Sequence, residues 1–287
     1  ETSLIVINEA DNKVKFIAAG WTPFKCINWL ASKAIPKDGV AKNFLFFESN
    51  KNFYFGSLEA IFQDAAENGN YIGEYFIAAS NVKDTEYNKI AREFFIVRDA
   101  QMVETTDYIK NYTNGYLASR LLFLDVFNKD YQVIDYDHTE EFSKQFHVGG
   151  SGVSPDIKPL FNKEGFRNPA ANISFYPKNP KLFDDFTGNI NEKMDVIYGN
   201  RKSCMLELTN LKMNVTVPGR TDIEIGNLMK FNFPGMGAKD GDNDPDKQDK
   251  YYSGYYLITA INHRITRNEH TMIMEIVKDS LNTDKAE

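Results

Sequence analysis

Several groups of residues have types and spacings that could do chemistry, and each can be held against what that chemistry demands. Asp240-Gly241-Asp242-Asn243-Asp244-Pro245-Asp246 has the density of oxygen donors that a hard cation such as calcium prefers. An EF-hand loop needs glycine at its sixth position for a sharp turn and a bidentate glutamate at its twelfth. With Asp240 first, those places fall to Pro245 and Tyr251, so the run reads as a solvated hairpin loop. Cation binding there in another geometry stays open. Gly149-Gly150-Ser151-Gly152 suggests a phosphate cradle, but a P-loop continues into Gly-Lys-Ser/Thr at a helix start. Here Val153-Ser154-Pro155 follows, and a flexible linker is the reading. Asp135 with Asp137, or Asp184 with Asp185, could act as a glycosidase pair, which requires carboxylates about 5–10 Å apart across a cleft. Among 40 acidic residues such pairs arise by chance, and nothing selects one.

The four histidines, His138, His147, His263 and His270, show no His-x-x-x-His or His-x-His spacing. His263 and His270 flank the last hairpin turn and read as surface or interface residues. Cys26 and Cys204 have no ligand-like neighbours; one disulfide is possible, and two buried free thiols are the favoured reading. No Ser, Cys or Thr sits in a nucleophile elbow, and no HExxH-like run occurs. The expected set of catalytic, cofactor-binding and metal-binding residues is therefore none, and no enzymatic role is expected.

The elements that would position any site are clearest at the two ends of the chain. Leu4–Asn8 and Val14–Ala19 read as short strands. Thr22 can cap a helix whose first position suits Pro23, with Phe24, Ile27, Leu30, Ala31 and Ala34 on one face and a stop before Pro36. Phe44–Glu48 and Phe53–Phe55 form a hairpin, and Ser57 opens a short helix. Phe94–Val103 and Tyr116–Phe127 read as strands, residues 137–188 as a Gly/Pro/Asn/Ser-rich arm, and Asn189–Asn200 as a helix. Beyond it, Leu211, Met213, Val215 and Val217 alternate with polar residues, as do Met229, Phe231 and Phe233; Tyr255–Ile265 and Thr271–Val277 complete four strands. That spacing predicts an antiparallel sheet curling into a barrel.

The fold class expected is α+β: a helix-plus-hairpin domain followed by an antiparallel barrel that a long loop-rich insertion interrupts. The divisions are 1–85 for the first domain, 86–136 for the first barrel strands, 137–200 for the insertion and 201–287 for the remaining strands. With 42% hydrophobic and 25% charged residues the composition is globular, and 22 Phe and 15 Tyr favour strands and packed interfaces. A net charge of −7 excludes a surface that clamps nucleic acid. No apolar run approaches the about 18 residues of a membrane span, and no signal peptide is evident.

Two segments resemble the baseplate central hub family of contractile-tailed, T-even-like phages. One is Trp21–Ser32 with Asn43–Glu48 and Phe53–Leu58; the other is Thr216–Gly226 with Tyr252–His263 and Met274–Ser280. The latter is similar to the tube-like barrel that hubs share with type VI secretion spikes. The resemblance implies a homotrimeric structural subunit joining the tail tube, or a tube-initiator protein, to the central spike. It implies a place in the virion tail baseplate, assembly in the host cytoplasm, and a lumen that the genome traverses without specific binding. No cofactor is implied. Family hubs carry two barrels per subunit, and the first is expected ahead of Glu1, where the chain starts without methionine. The competing readings are the hub region of a type VI secretion or tailocin spike, a tail-associated cell-wall hydrolase, and a carbohydrate-binding module.

Overall fold

The computed structural model describes residues 3–37, 43–49, 52–67, 71–77, 93–104, 113, 118–126, 128–142, 145–148, 152–153, 172–177, 190–208, 211–233, 249 and 252–282. In chain order the elements are β1 (Ser3–Val6), α1 (Pro23–Ala31), β2 (Phe44–Glu48), β3 (Asn52–Ser57), α2 (Leu58–Glu67), β4 (Tyr71–Ile77), β5 (Ile96–Val97), β6 (Asp99–Glu104), β7 (Ala118–Asp125) and β8 (Asp130–Asp137). They continue with α3 (His138–Phe142), β9 (Gly152–Val153), β10 (Asn172–Pro177), α4 (Ile190–Leu208), β11 (Leu211–Pro218), β12 (Leu228–Asn232), β13 (Gly254–Ile265), β14 (His270–Lys278) and β15 (Leu281–Asn282). The chain is mostly strand with few helices, and it divides into two compact units. The first takes residues 1–61, 107–146 and 156–207; the second takes 62–106, 147–155 and 208–287.

In the first unit, Thr22 caps α1 as its spacing predicts, its Oγ1 accepting from the Lys25 N–H at 3.4 Å ahead of Pro23. The helix stops at Ala31 and tightens into one more turn, in which Lys33 N–H donates to the Leu30 carbonyl at 2.9 Å. β3 pairs antiparallel with β2 and parallel with β1. Phe47 stacks on Tyr54 across the hairpin, and Phe24 of α1 packs against Phe46 and Phe53. Val14–Ala19 is not a strand. The Asn12 side chain instead ties the chain to the end of α1 through the Lys33 carbonyl and the Ile35 N–H, both at 2.8 Å, and Phe16 packs on Trp29.

The second sheet of this unit has the order β10-β7-β8. Here the structure departs from expectation: β7, foreseen as a barrel strand, pairs with its chain neighbour β8 and with β10. The short turn favours that local pairing, because Asp125 accepts from the Asn128 N–H at 3.0 Å and Lys129 takes a left-handed conformation (φ 53°). The expected helix near 189–200 is also longer. α4 runs on through Cys204 to Leu208, so Cys204 belongs to a helix of the first unit and not to the barrel block. Most of the expected arm at 137–188 lies outside the described residues.

The second unit is a sheet of order β5-β4-β12-β13-β14-β11-β6. Its edges are two parts of one run. β5 pairs with β4, β6 pairs with β11, and Arg98 between them donates its N–H to the Thr216 carbonyl at 2.8 Å. The sheet is thereby nearly closed into a barrel. Met213, Val215 and Val217 of β11 point inward with Met229 and Phe231, Tyr256 and Ile258, Met272, Met274 and Ile276, and Tyr75 and Val97. Each such side chain, fully buried, stabilises the fold by roughly 1.5–3 kcal/mol against exposure. The four C-terminal strands match the alternation of their sequence. The barrel is mixed, however, and not wholly antiparallel, because β4 lies parallel to both β12 and β5. β4 had been grouped with the N-terminal domain, since nothing near it in sequence names a partner.

β4 enters the barrel through a bulge at Gly73. The register with β12 shifts there, and φ of Gly73 is 123°, a region that side chains avoid. A Cβ on Gly73 would also press on the Phe95 ring, with Cδ1 only 3.0 Å away. Gly73→Ala is therefore expected to destabilise the protein by about 2 kcal/mol or more in urea unfolding. Adding Phe95→Leu behind it should recover part of the loss; an additive double variant would show that crowding by Phe95 is not the cause.

Candidate functional site

Among the described residues, α4 and α3 bring together a constellation that looks catalytic. Ser203 and Glu207 lie one helical turn apart on α4 and both face His138, the first residue of α3. Ser203 Oγ lies 2.8 Å from His138 Nδ1, and Glu207 Oε1 lies 3.6 Å from Nε2. A hydroxyl and a carboxylate on opposite imidazole nitrogens resembles an acyl-transfer triad, but the two nitrogens are exchanged and the carboxylate lies beyond hydrogen-bond distance. Ser203 and His138 are 0% exposed and Glu207 is 2% exposed, so no acyl group reaches the hydroxyl. The cluster extends through Tyr136, whose phenol is pushed up by burial, and through Cys204, whose thiol lies 3.0 Å from both Gln145 Oε1 and Asn200 Oδ1. Its burial makes it part of the packing of the first unit.

A second buried polar group sits at the end of β14. Asp279 accepts from the Val148 N–H at 3.1 Å and lies 3.1 Å from His147 Nδ1. Beside it Lys278, 1% exposed, donates to the Ser253 carbonyl at 2.7 Å and lies 5.6 Å from the centre of the Tyr256 ring. Burial pushes the Lys278 ammonium down to about 8. These contacts hold residues 147–148 against the end of the barrel strand, and their burial makes them structural.

The surface that faces outward is the sheet β10-β7-β8. Its inner face carries Leu121 and Phe123, with Ile134 and Tyr176 packed against Trp29 and Tyr198. Its outer face aligns Phe175 with Leu122 and Val133, Pro177 with Leu124 and Tyr131, and Ile173 with Arg120 and Asp135. Phe175 is 74% exposed and Tyr131 68%, and Ile173, Leu124 and Val133 are exposed as well. Arg120 holds Asp135 by two hydrogen bonds of 2.7 and 2.9 Å at the border of this apolar face. A contiguous outward apolar face is the mark of a surface that another protein covers.

Of the groups singled out by sequence, Asp240–Asp246 and Asp184–Asp185 lie outside the described residues, as do Gly149–Ser151. Gly152 pairs with Asn282 in the short β9–β15 ladder. Asp135 is engaged by Arg120 at the sheet surface. Both cysteines are free, Cys204 buried and Cys26 half-buried. His263 is exposed and His270 half-buried, and their rings meet with Nδ1 of His263 3.1 Å from Nε2 of His270. Ser203 beside His138 and Asp279 beside His147 carried no local signal, because each lies more than 60 residues from its histidine. Among the described residues no helix is long and apolar enough to cross a membrane, which says nothing of strands.

No protein-family model and no curated protein matches this sequence. Solved structures similar to it include the tail protein from Neisseria meningitidis MC58, at 10% identity over 97% of this chain and a TM-score of 0.47. Another is the 43 kDa tail protein of prophage MuSo2 from Shewanella oneidensis, at 12% identity over 98% and a TM-score of 0.45. This chain spans 62% of the length of each. The phage P2 baseplate in its activated conformation with Ca matches at 10% identity over 95% of this chain, with a TM-score of 0.23. Likenesses this loose define neither the fold nor the role of the chain.

The setting of Lys278 makes stability depend on pH. Its folded pKa is depressed below the ordinary 10.5, so between about 8 and 10 the unfolded chain holds a proton that the folded chain has released. Stability is therefore expected to rise with pH across that window, by at most about 3 kcal/mol. The rise ends near 10, where unfolded tyrosines ionise while burial keeps the Tyr256 phenol protonated. Lys278→Met should flatten it in urea titrations at stepped pH; an unchanged slope would show that Lys278 is not its source.

Proposed function

We propose that this chain is a non-enzymatic structural subunit of a phage tail baseplate hub, a trimeric adaptor between the tail tube and the central spike. The observation that carries the reading is the outward apolar face of β10-β7-β8, which leaves Phe175, Tyr131, Ile173, Leu124 and Val133 for a neighbour to cover. The occupant we assign to it is a second copy of this chain. The resemblance of Trp21–Ser32, Asn43–Glu48 and Phe53–Leu58, and of Thr216–Gly226, Tyr252–His263 and Met274–Ser280, to the baseplate hub family supports the identity of the assembly. The nearly closed barrel of the second unit suits a ring component, since a closed sheet offers few free edges for unwanted pairing. The role places the protein in the virion tail, assembled in the host cytoplasm, with the genome passing unbound. The burial of Ser203 and His138 deprives a cell-wall hydrolase of the one nucleophile that the described residues present in a triad geometry.

Light scattering on the intact chain is expected to give a trimer at micromolar concentration, because obligate assemblies desolvate such faces. Phe175→Glu and Tyr131→Glu are expected to shift the mass to monomer while leaving the far-ultraviolet circular dichroism intact, and to lower the melting temperature and remove its dependence on concentration. A wild-type protein that stays monomeric at high concentration overturns the reading.

A further inference from the structure

The β13–β14 hairpin brings two imidazoles into a geometry that neither strand shows alone. Its turn is tied by Thr266, whose N–H and Oγ1 both donate to the Glu269 carbonyl at 2.8 and 3.0 Å. The register puts Ile265 opposite His270 and His263 opposite Met272, so His263 and His270 are diagonal neighbours on one face. His270 occupies space that a side chain at position 219 would fill: a Cβ on Gly219 would collide with its ring. The Gly219 N–H donates to the His270 carbonyl at 2.8 Å, which fixes the backbone beneath that ring. Arg98 is paired with Glu269 of this turn, while Arg264 and Arg267 belong to the hairpin itself.

We infer that His263 and His270 form a two-imidazole site for a divalent transition-metal cation of the zinc, nickel or copper class. Nδ1 of His263 and Nε2 of His270 are 3.1 Å apart. A cation at about 2.0–2.1 Å from each nitrogen then subtends an angle of roughly 100°, between the octahedral and tetrahedral ideals. Without a cation the two nitrogens share a hydrogen bond; binding replaces it and shifts the shared proton to the outer nitrogen of its ring, which leaves His263 protonated on Nε2 and His270 on Nδ1. Among the described residues no cluster of three or more such ligands exists, so the remaining coordination positions go to water and the cation stays exchangeable. Bound there, it clamps the two strands together at the exposed end of the hairpin, where Ile265 is 74% exposed. This inference does not depend on the hub assignment.

The test is isothermal titration of the intact chain with zinc chloride and with nickel chloride, in a buffer that does not chelate, repeated on His263→Asn, His270→Asn and Cys26→Ser. The expected result is one equivalent per chain, retained in the cysteine variant. Either histidine substitution should weaken binding roughly a hundredfold or more, because a second tethered ligand contributes by effective concentration. Circular dichroism of each variant checks that the fold survives, and nickel should broaden amide resonances of residues 261–273 selectively. Absence of binding at millimolar metal overturns the inference. So does one equivalent that persists unchanged in both histidine variants.

Discussion

The second unit depends on a strand that serves two edges. Residues 96–104 pair first with β4 and then with β11, and the single backbone bond from Arg98 to Thr216 joins the two halves of that duty. Without it, the sheet would end in two open edges, and the inward side chains of β4 and β11 would lose their enclosure. The core follows from this closure. Met213, Met229, Met272 and Met274 fill its interior beside Tyr75, Phe231 and Tyr256, an arrangement in which flexible thioethers pack around fixed rings. The bulges at Gly73 and near Thr259 belong to the same constraint, since a small barrel needs local bends to turn its corners.

The two units solve the problem of apolar surface in opposite ways. The barrel turns one face of every strand inward upon itself. The sheet β10-β7-β8 has only three strands and cannot close, so it hides one face under Trp29 and Tyr198 and leaves the other bare. Buried polar groups are treated more uniformly. His138 and His147 each face a carboxylate from a distant segment, and the geometry that resembles a triad in one case is a packing solution in both.

Much of this was legible in the order of residues, and the reason differs by element. Leu211–Val217 names its own buried face because its polar and apolar residues alternate strictly. Thr22-Pro23 names a helix start because capping is a local hydrogen bond. β4 could not be assigned, because its partner β12 lies over 150 residues away and its own sequence fits a strand anywhere. β10 was more deceptive. Asn172, Ser174 and Tyr176 alternate with Ile173, Phe175 and Pro177, and pattern alone puts the isoleucine and phenylalanine inside. The structure half-buries the other set and turns the isoleucine and phenylalanine outward. The His263–His270 meeting was hidden for a simpler reason. It depends on hairpin register, and counting outward from the Thr266–Glu269 turn would have found it.

The threading of the barrel through the chain also governs when it can form. β4, β5 and β6 are made early, but their partners β11 and β12 follow after roughly a hundred intervening residues, a separation that slows closure. At ordinary rates of synthesis that gap corresponds to roughly 5 to 20 seconds. During that interval β4 and β5 can pair only with each other, which leaves the other edge of β4 and all of β6 without a partner, while β2 and β3, adjacent in the chain, can already pair. The nascent chain thus carries an assembled hairpin beside unsatisfied strand edges, and the ribosome's pace, as much as the contacts themselves, determines how long those edges stay open to wrong partners.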